Sequence, residues 1–511
     1  MRPSLKFVVR AAFVVLIVGS LLIVGSAYAT DGLGDTPTEA AEQQYAANSS
    51  RPIVPPSNGT TVIIGDSNTW TGRESENPRS KGELAAFNPN GSVRYYDDTH
   101  TRYWDVDPIP GTEATVEYAY ADHLNTSECP DFRSAAYYEN SAYAGSVDRL
   151  TWREYARANG EASDGACTFN GIERVNLSMG EVTPVYGTPT PGKEATRWHD
   201  ADRINSTHLA IADIYLDRVF IVNTRTNEIS WSWSPVNESP KRFPPNSSGG
   251  PFPTDWTHMN DVEVLEDGRL MPSPRNTDHV IFLDPSKPPT KALQENWMVG
   301  SENNYETLYE QHNPDYIPAS QGGPAVLIAD SENNRLVEYQ RENGEWNQTW
   351  TWTDSRAQWV RDADRLPNGN TLVADSNGDR VFEINRQGEV IWSAEVAFPY
   401  EAERFETGDE STNGRSAQLL GLPSNEVGPI EGLWIDLKDV LSGPTFSALQ
   451  YISPYWMGFA EIGAVLMLIL TTIVWLSTEI WWRIAPRVRR TVSSGWRQLI
   501  HMATLSTTPT P

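Results

Sequence analysis

The chain has 511 residues, room for one large domain or two to three ordinary ones, and its 39% hydrophobic content with 19 Trp and 20 Tyr can fill a sizeable core. Its net charge is −27, and only seven of its 40 basic residues are Lys. That acidity excludes a nucleic-acid partner, whose phosphates would be repelled, and an acidic, Lys-poor surface is expected of a halophilic protein.

At the N-terminus, Arg2, Lys6 and Arg10 precede an apolar or small run from Ala11 to Ala29. Residues 1–29 therefore read as a signal peptide or signal anchor, and Ala27-Tyr28-Ala29 fits a small-x-small cleavage pattern. Residues 30–57 are polar and rich in Pro, Ser and Ala, as in a linker. Residues 457–482 are long and apolar enough for a transmembrane helix. The tail 483–511 follows with Arg483, Arg487, Arg489, Arg490 and Arg497. Basic residues stay inside, so the tail is expected to be cytoplasmic and residues 30–456 to lie outside. Nine Asn-x-Ser/Thr sequons fall in that outer stretch, which suits a glycoprotein. The two cysteines, Cys129 and Cys167, share one insertion. An exported domain favours a disulfide between them, the other reading being two free thiols.

Between the linker and a juxtamembrane stalk at 411–456, the chain is a series of short β-type runs separated by turn signals. One unit opens at Arg361-Asp362-Ala363-Asp364-Arg365. It continues through Thr371-Leu372-Val373-Ala374-Asp375-Ser376 and Arg380-Val381-Phe382-Glu383-Ile384 to Val390-Ile391-Trp392-Ser393. Related units open at His199, His258 and His312, with a weaker one at Trp104. Thr61-Val62-Ile63-Ile64 begins a further unit that lacks its opening strand, and Tyr400-Glu401-Ala402-Glu403-Arg404 supplies a match at the far end. A period near ~50 residues with about four strands per unit is a propeller signature. The expectation is an all-β, six-bladed β-propeller over 58–410, closed by a blade built from both chain ends, with N- and C-terminal transmembrane helices. An amphipathic segment at 431–441 and a short basic tail complete the organisation.

The third residue after each opening position is acidic: Asp107, Asp202, Asp261, Asp315, Asp364 and Glu403. A feature of every blade serves architecture, and here the carboxylates are expected to accept backbone N–H groups in the turn entering the strand. The opening positions themselves vary: Trp104, His199, His258, His312, Arg361 and Tyr400. If they face the channel, three imidazoles and a guanidinium converge, with Arg275 on the next strand. They could fill the throat structurally. They could bind zinc, although the arginines would repel a cation. They could also hold a tetrahedral oxyanion, with a neutral His as nucleophile.

The marks His258-x-Asn260-Asp261, Ser273-Pro274-Arg275-Asn276 and Gln311-His312 resemble the bacterial arylsulfate sulfotransferases that use no nucleotide donor. The resemblance covers about 58–410 and is strongest from Arg197 to Ser393. It implies a six-bladed propeller that moves a sulfuryl group from an aryl sulfate to a phenolic or other hydroxyl acceptor through a sulfohistidine, without a cofactor. By that resemblance His312 is the nucleophile. His258, Asn260 and Arg275 hold sulfate oxygens or protonate the leaving phenolate, and His199 is a further channel residue. Gln311 joins the substrate-binding set with it, and Arg361 joins from its repeat position. The expected partners are a small aryl sulfate and a hydroxyl acceptor, such as a surface glycan or lipid, together with the membrane. The competing functional reading is a non-catalytic binding platform. A metal-dependent lactonase would instead place carboxylates at the opening positions.

Overall fold

The computed structural model describes residues 4–30, 32–33, 37–67, 81–141, 143–144, 146–162, 165–193, 197–245, 247, 249–425, 443–454 and 456–505. They fall into two compact units, the terminal segments Met1–Gly34 with Trp456–Pro511, and Asp35–Tyr455 between them.

The larger unit is mostly β, in a propeller arrangement. Six strands are innermost: β1 (Arg102–Pro108), β2 (Trp198–Asp200), β3 (Met259–Val264), β4 (His312–Ile317), β5 (Val360–Arg365) and β6 (Pro399–Arg404). They pack side by side in cyclic order, with β6 returning to β1. Five of them head antiparallel sheets of four or more strands. β6 pairs with Thr61–Ser67, so one sheet joins both ends of the domain. Such closure leaves no inner edge free. β3 is different. It pairs with Leu270–Pro274 only, and His279–Val280 pairs separately with Val299–Gly300. Pro272 and Pro274 have no N–H to give a ladder, and Arg275–Thr277 turns as a 3-10 helix. Isolated bridges from Leu283 to Leu270 and Leu293 continue the segment.

The repeat is explained by two devices. In three sheets an Asp ending the second strand pairs with the Arg starting the third: Asp213–Arg218 at 2.9 Å, Asp330–Arg335 at 2.6 Å and Asp375–Arg380 at 2.9 Å. Apolar cores then fill the gaps between sheets. Trp350, Trp352 and Phe382 pack with Val373 between the β4 and β5 sheets, and Trp233 and Trp256 pack with Ile281 beside β3. Each such side chain contributes on the order of 1.5–3 kcal/mol by leaving water.

The cysteine insertion forms a small satellite. Its helix Arg149–Ala162 starts where Asp148 accepts from the N–H of Leu150 and Thr151, at 2.9 and 3.1 Å. Trp152, Tyr155 and Ala156 then share one buried face against Tyr143 and Tyr215. Cys129 and Cys167 are bonded.

Two expectations need correction. The 30–57 stretch is more than a linker: Pro37–Ala46 is helical, Ala41 is fully buried, and Tyr45 meets Tyr95 edge-on at 5.6 Å. Its Ala-rich composition is as good for a docked helix as for a linker. Residues 411–425 are likewise packed on the propeller rather than a free stalk. Ala417 N–H donates to Glu338 at 2.6 Å, and Trp350 Nε1 donates to the Pro423 carbonyl at 3.2 Å. The helix Gly443–Tyr451 also packs on the propeller, while the segment at 431–441 lies outside the described residues.

In the terminal unit, the helices Leu5–Thr30 and Phe459–Leu505 each contain a 26-residue stretch long and apolar enough to cross a membrane. They pack together, with Arg10 Nε 2.6 Å from Glu479 and Phe13 stacked on Trp475. The second helix runs unbroken beyond the expected boundary at 482 into the basic tail.

Candidate active site

At one mouth of the channel, a cavity of about 300 Å³ is lined by His199, His258, Arg275, Arg361, Arg197 and Trp104, and walled by Trp359, Glu332 and the helix Gly443–Tyr451. The backbone kinks that aim these side chains recur. Glu310 and Phe398 hold φ of 45° and Trp359 holds 61°, each two residues before an opening position, and His258 itself holds 49°. Left-handed backbone at non-glycine residues costs roughly 1–3 kcal/mol each and is commonest at functional sites.

Each imidazole is anchored through Nδ1. His258 Nδ1 lies 2.6 Å from Asp255 Oδ1. His312 Nδ1 lies 2.8 Å from Ser331 Oγ. His199 Nδ1 lies 3.1 Å from Tyr400 Oη, and its ring stacks on Trp104 at 4.1 Å. The Nε2 atoms of all three are buried and without a hydrogen-bond partner. Ser331 sends its own proton to the Ala329 carbonyl at 3.3 Å, so it accepts from His312 Nδ1–H. That leaves a lone pair on His312 Nε2. Asp255, a carboxylate, likewise fixes the proton of His258 on Nδ1.

Electrostatics keep these rings neutral. Burial pushes the His312 pKa well below the usual histidine range, and the Arg361 and Arg275 guanidinium groups add to this. His199 is lowered for the same reasons, by burial, then by His258 and Arg197. Burial and Arg275 lower His258 against the opposing pull of Asp255. Arg361 lies over the rings of Trp359, Tyr400 and Phe398, at 4.0, 4.7 and 5.0 Å. Arg275 donates to Asn276 Oδ1 at 3.0 and 2.9 Å, and its Nη2 is 3.7 Å from Glu310. Neutral nucleophilic nitrogens among fixed cations are suited to an anionic, tetrahedral guest.

The expected site residues thus divide. His199, His258, Arg275 and Arg361 line the cavity. His312 is 1% exposed and is not in the cavity wall, although its ring is 6.1 Å from Tyr400 and 6.3 Å from Trp359. Asn260 and Gln311 are likewise buried and outside the cavity wall. Asn260 Nδ2 donates to the Gln311 carbonyl at 3.0 Å, and Gln311 Nε2 donates to Ser273 Oγ and the His279 carbonyl at 3.0 and 2.6 Å. They fasten β3 to the start of β4, where His312 sits. Sequence reasoning missed Arg197, Trp359, Asp255 and Ser331. Ser331 had a signal, because Asp330-Ser331 repeats as Asp375-Ser376, and Arg197 and Trp359 share an offset of two residues before an opening position.

The acidic positions divide as well. Of the third-position acids, Asp202 accepts from the N–H of Val264 and Arg203 and Glu403 from that of Glu410, while a second set of acceptors sits one residue after the opening position. Those one residue after the opening stitch strands at four of the six junctions: Asp105 to Ala201 N–H at 3.1 Å, Asp200 to Val262 N–H, Asp362 to Ala402 N–H at 3.1 Å and Glu401 to Val106 N–H at 3.0 Å.

No family model and no curated protein matches the chain. Among solved structures it is similar to a periplasmic gluconolactonase of Pseudomonas aeruginosa, at 12% identity and a TM-score of 0.39, over 68% of this chain and 99% of that one. A putative 6-phosphogluconolactonase of Bacteroides fragilis is similar at 10% identity and a TM-score of 0.38, over 68% and 97%. An inactive virginiamycin B lyase of Staphylococcus aureus is similar at 5% identity and a TM-score of 0.32, over 66% and 89%. At these values the likenesses carry no argument about the chemistry of this chain.

Proposed function

We propose that the chain is a membrane-anchored, extracytoplasmic sulfotransferase that passes a sulfuryl group from an aryl sulfate to a hydroxyl acceptor through His312. The observation that carries this reading is the three-imidazole, arginine-flanked cluster in which His312 presents a lone pair on Nε2 and a fixed proton on Nδ1. In the first step Nε2 attacks sulfur, the S–O bond to the aryl group breaks, and the phenolate leaves with the bonding pair. Arg275 and Arg361 balance charge on the sulfuryl oxygens and the leaving phenolate. In the second step the acceptor oxygen attacks the same sulfur, its proton passes to His258 Nε2, and the S–N bond returns its electrons to His312. In this reading β3 with residues 270–300 is the sixth blade, its outer strands replaced by loops. The acceptor is a small phenol, surface glycan or lipid. The two apolar helices hold the domain outside the membrane, with both termini inside.

A second reading, a binding platform for an anion, is favoured by one observation: His312 is buried behind the cavity wall while His199, His258 and the arginines line it. The test is phenol release from a chromogenic aryl sulfate by the full chain in high salt, with and without a phenol acceptor. Acceptor-dependent release that disappears in His312→Ala supports transfer. Binding of the aryl sulfate without release across several donors and acceptors supports the platform.

A further inference from the structure

Deeper along the inner strands, past the cationic mouth, lies a set of carboxylates that the transfer reading does not use. Asp315 on β4, Asp362 and Asp364 on β5, and Glu410 in the turn after β6 present oxygens that all lie within 4.8 Å of one another. The three aspartates are at most 1% exposed. Both oxygens of Asp364 are buried without a hydrogen-bond partner, as is one oxygen each of Asp315 and Asp362. Asn313, also on β4 and 4% exposed, donates from Nδ2 to Glu401 Oε2 at 3.2 Å, outside this group.

Burying unpaired carboxylates costs several kcal/mol each in order of magnitude, so native proteins pair them or neutralise them. The arginines that act on this cluster are committed elsewhere, Arg365 to Glu338 at 3.1 Å and Arg404 to Glu383 at 2.9 Å. The donors are all oxygens, which excludes the sulfur- and nitrogen-seeking metals and leaves the hard cations. Calcium–oxygen bonds of about 2.3–2.6 Å set opposite ligands about 4.6–5.2 Å apart, whereas magnesium requires about 4.0–4.2 Å and six regular positions. Four carboxylates gathered from three segments exceed the one or two that magnesium ordinarily takes and suit the larger ion, which accepts about six to eight oxygens.

We propose that Asp315, Asp362, Asp364 and Glu410 form a calcium site inside the channel, which cross-links β4, β5 and the turn after β6. The ion replaces the cationic partner that these carboxylates lack, and it makes stability of the propeller calcium-dependent. The site is independent of the sulfuryl-transfer reading and stands or falls separately from it.

The test uses the full chain in detergent and high salt, stripped with EGTA, desalted, and returned to calcium or magnesium. Bound metal is measured by elemental analysis and stability by the thermal midpoint. Two variants accompany it: Asp364→Asn, which keeps the shape and removes a charge, and Glu345→Gln, which removes an exposed charge on another strand. The expected results are about one equivalent of calcium or more retained per chain, a midpoint raised by calcium well beyond any effect of magnesium, and both effects reduced in Asp364→Asn but kept in Glu345→Gln. Asp364→Asn is also expected to be the more stable chain in EGTA, because it relieves repulsion. Equal calcium retention by the wild type and Asp364→Asn would overturn the site. So would a wild-type midpoint that is indifferent to calcium but rises as the pH falls, because protons would then be doing the neutralising. An equal response to magnesium would overturn the calcium assignment.

Discussion

His312 Nδ1 and Ser331 Oγ lie 2.8 Å apart, and the serine hydroxyl is itself turned toward the Ala329 carbonyl. This pair decides which nitrogen of His312 carries the lone pair. Ser331→Ala removes the side-chain acceptor of a buried N–H and leaves it the Glu310 carbonyl alone, a cost of up to about 1–3 kcal/mol. If that cost falls on the reacting geometry, transfer slows ~10–100-fold. The chain stays folded, and steady-state release of phenol measures the loss. Ser331→Thr, which keeps a hydroxyl, is expected to recover part of it.

Asp255 plays the corresponding part for His258, at 2.6 Å. Asp255→Asn replaces an acceptor with a group that can donate to Nδ1, so the lone pair of Nε2 is lost. The expected signature is selective. The first phenol burst is kept, while acceptor-dependent turnover falls by ~100-fold or more, the usual scale for a lost general base. Rapid-mixing kinetics with and without acceptor separate the two phases.

His100 lies outside the channel, between Asp122 Oδ2 at 3.0 Å and Glu173 Oε2 at 3.1 Å, and stacks on Tyr120 at 3.5 Å. Burial opposes its charge, but the hydrogen bonds and charges of Asp122 and Glu173 prevail and raise its pKa from 6.5 to about 9. A raised pKa stabilises the folded state fully below pH 6.5, and the contribution is lost as pH rises through about 9. The loss amounts to at most about 3 kcal/mol. Urea midpoints between these two pH values are therefore expected to fall more steeply in the wild type than in His100→Gln.

The Cys129–Cys167 bond spans a sequence separation of 38 residues and holds the insertion whose core is Trp152, Tyr143 and Tyr215. Replacing both cysteines with Ser is expected to cost about 2–4 kcal/mol of stability. Proteolysis should then cut first within the insertion, which maps by mass to residues 125–166.

The channel residues were legible in the sequence because a repeat marks them. His199, His258, His312 and Arg361 stand at equivalent points of successive units, and alignment of the units places them on neighbouring inner strands without any knowledge of tertiary structure. Asp255 was not legible, because it reaches the site from a loop that the repeat does not align, and Arg197 and Trp359 were missed because the position two residues before each opening, which the repeat does align, carries a different residue type from unit to unit. Asn260 and Gln311 were legible only as parts of a motif, and their hydrogen bonds to the neighbouring strand were not, for a related reason. A motif records that two side chains matter, but not whether they face a guest or the neighbouring strand. The acidic positions show the same limit. Periodicity located Asp105 and Asp107 equally well, yet only tertiary geometry shows that Asp105 reaches the Ala201 N–H of the next strand while Asp107 Oδ2 has no partner. The docked helices Pro37–Ala46 and Gly443–Tyr451 escaped because their polar, Pro- and Ser-containing surroundings read as connecting chain.

The most direct test of the account is to trap the intermediate. The full chain is mixed with an aryl sulfate in the absence of acceptor, quenched at high pH to preserve an N-sulfuryl group, digested and analysed by mass. The account predicts one sulfuryl increment on the peptide carrying His312, present in the wild type, discharged by added phenol and absent in His312→Ala. Turnover without any adduct, or an adduct on His199 or His258 that persists in His312→Ala, would contradict it.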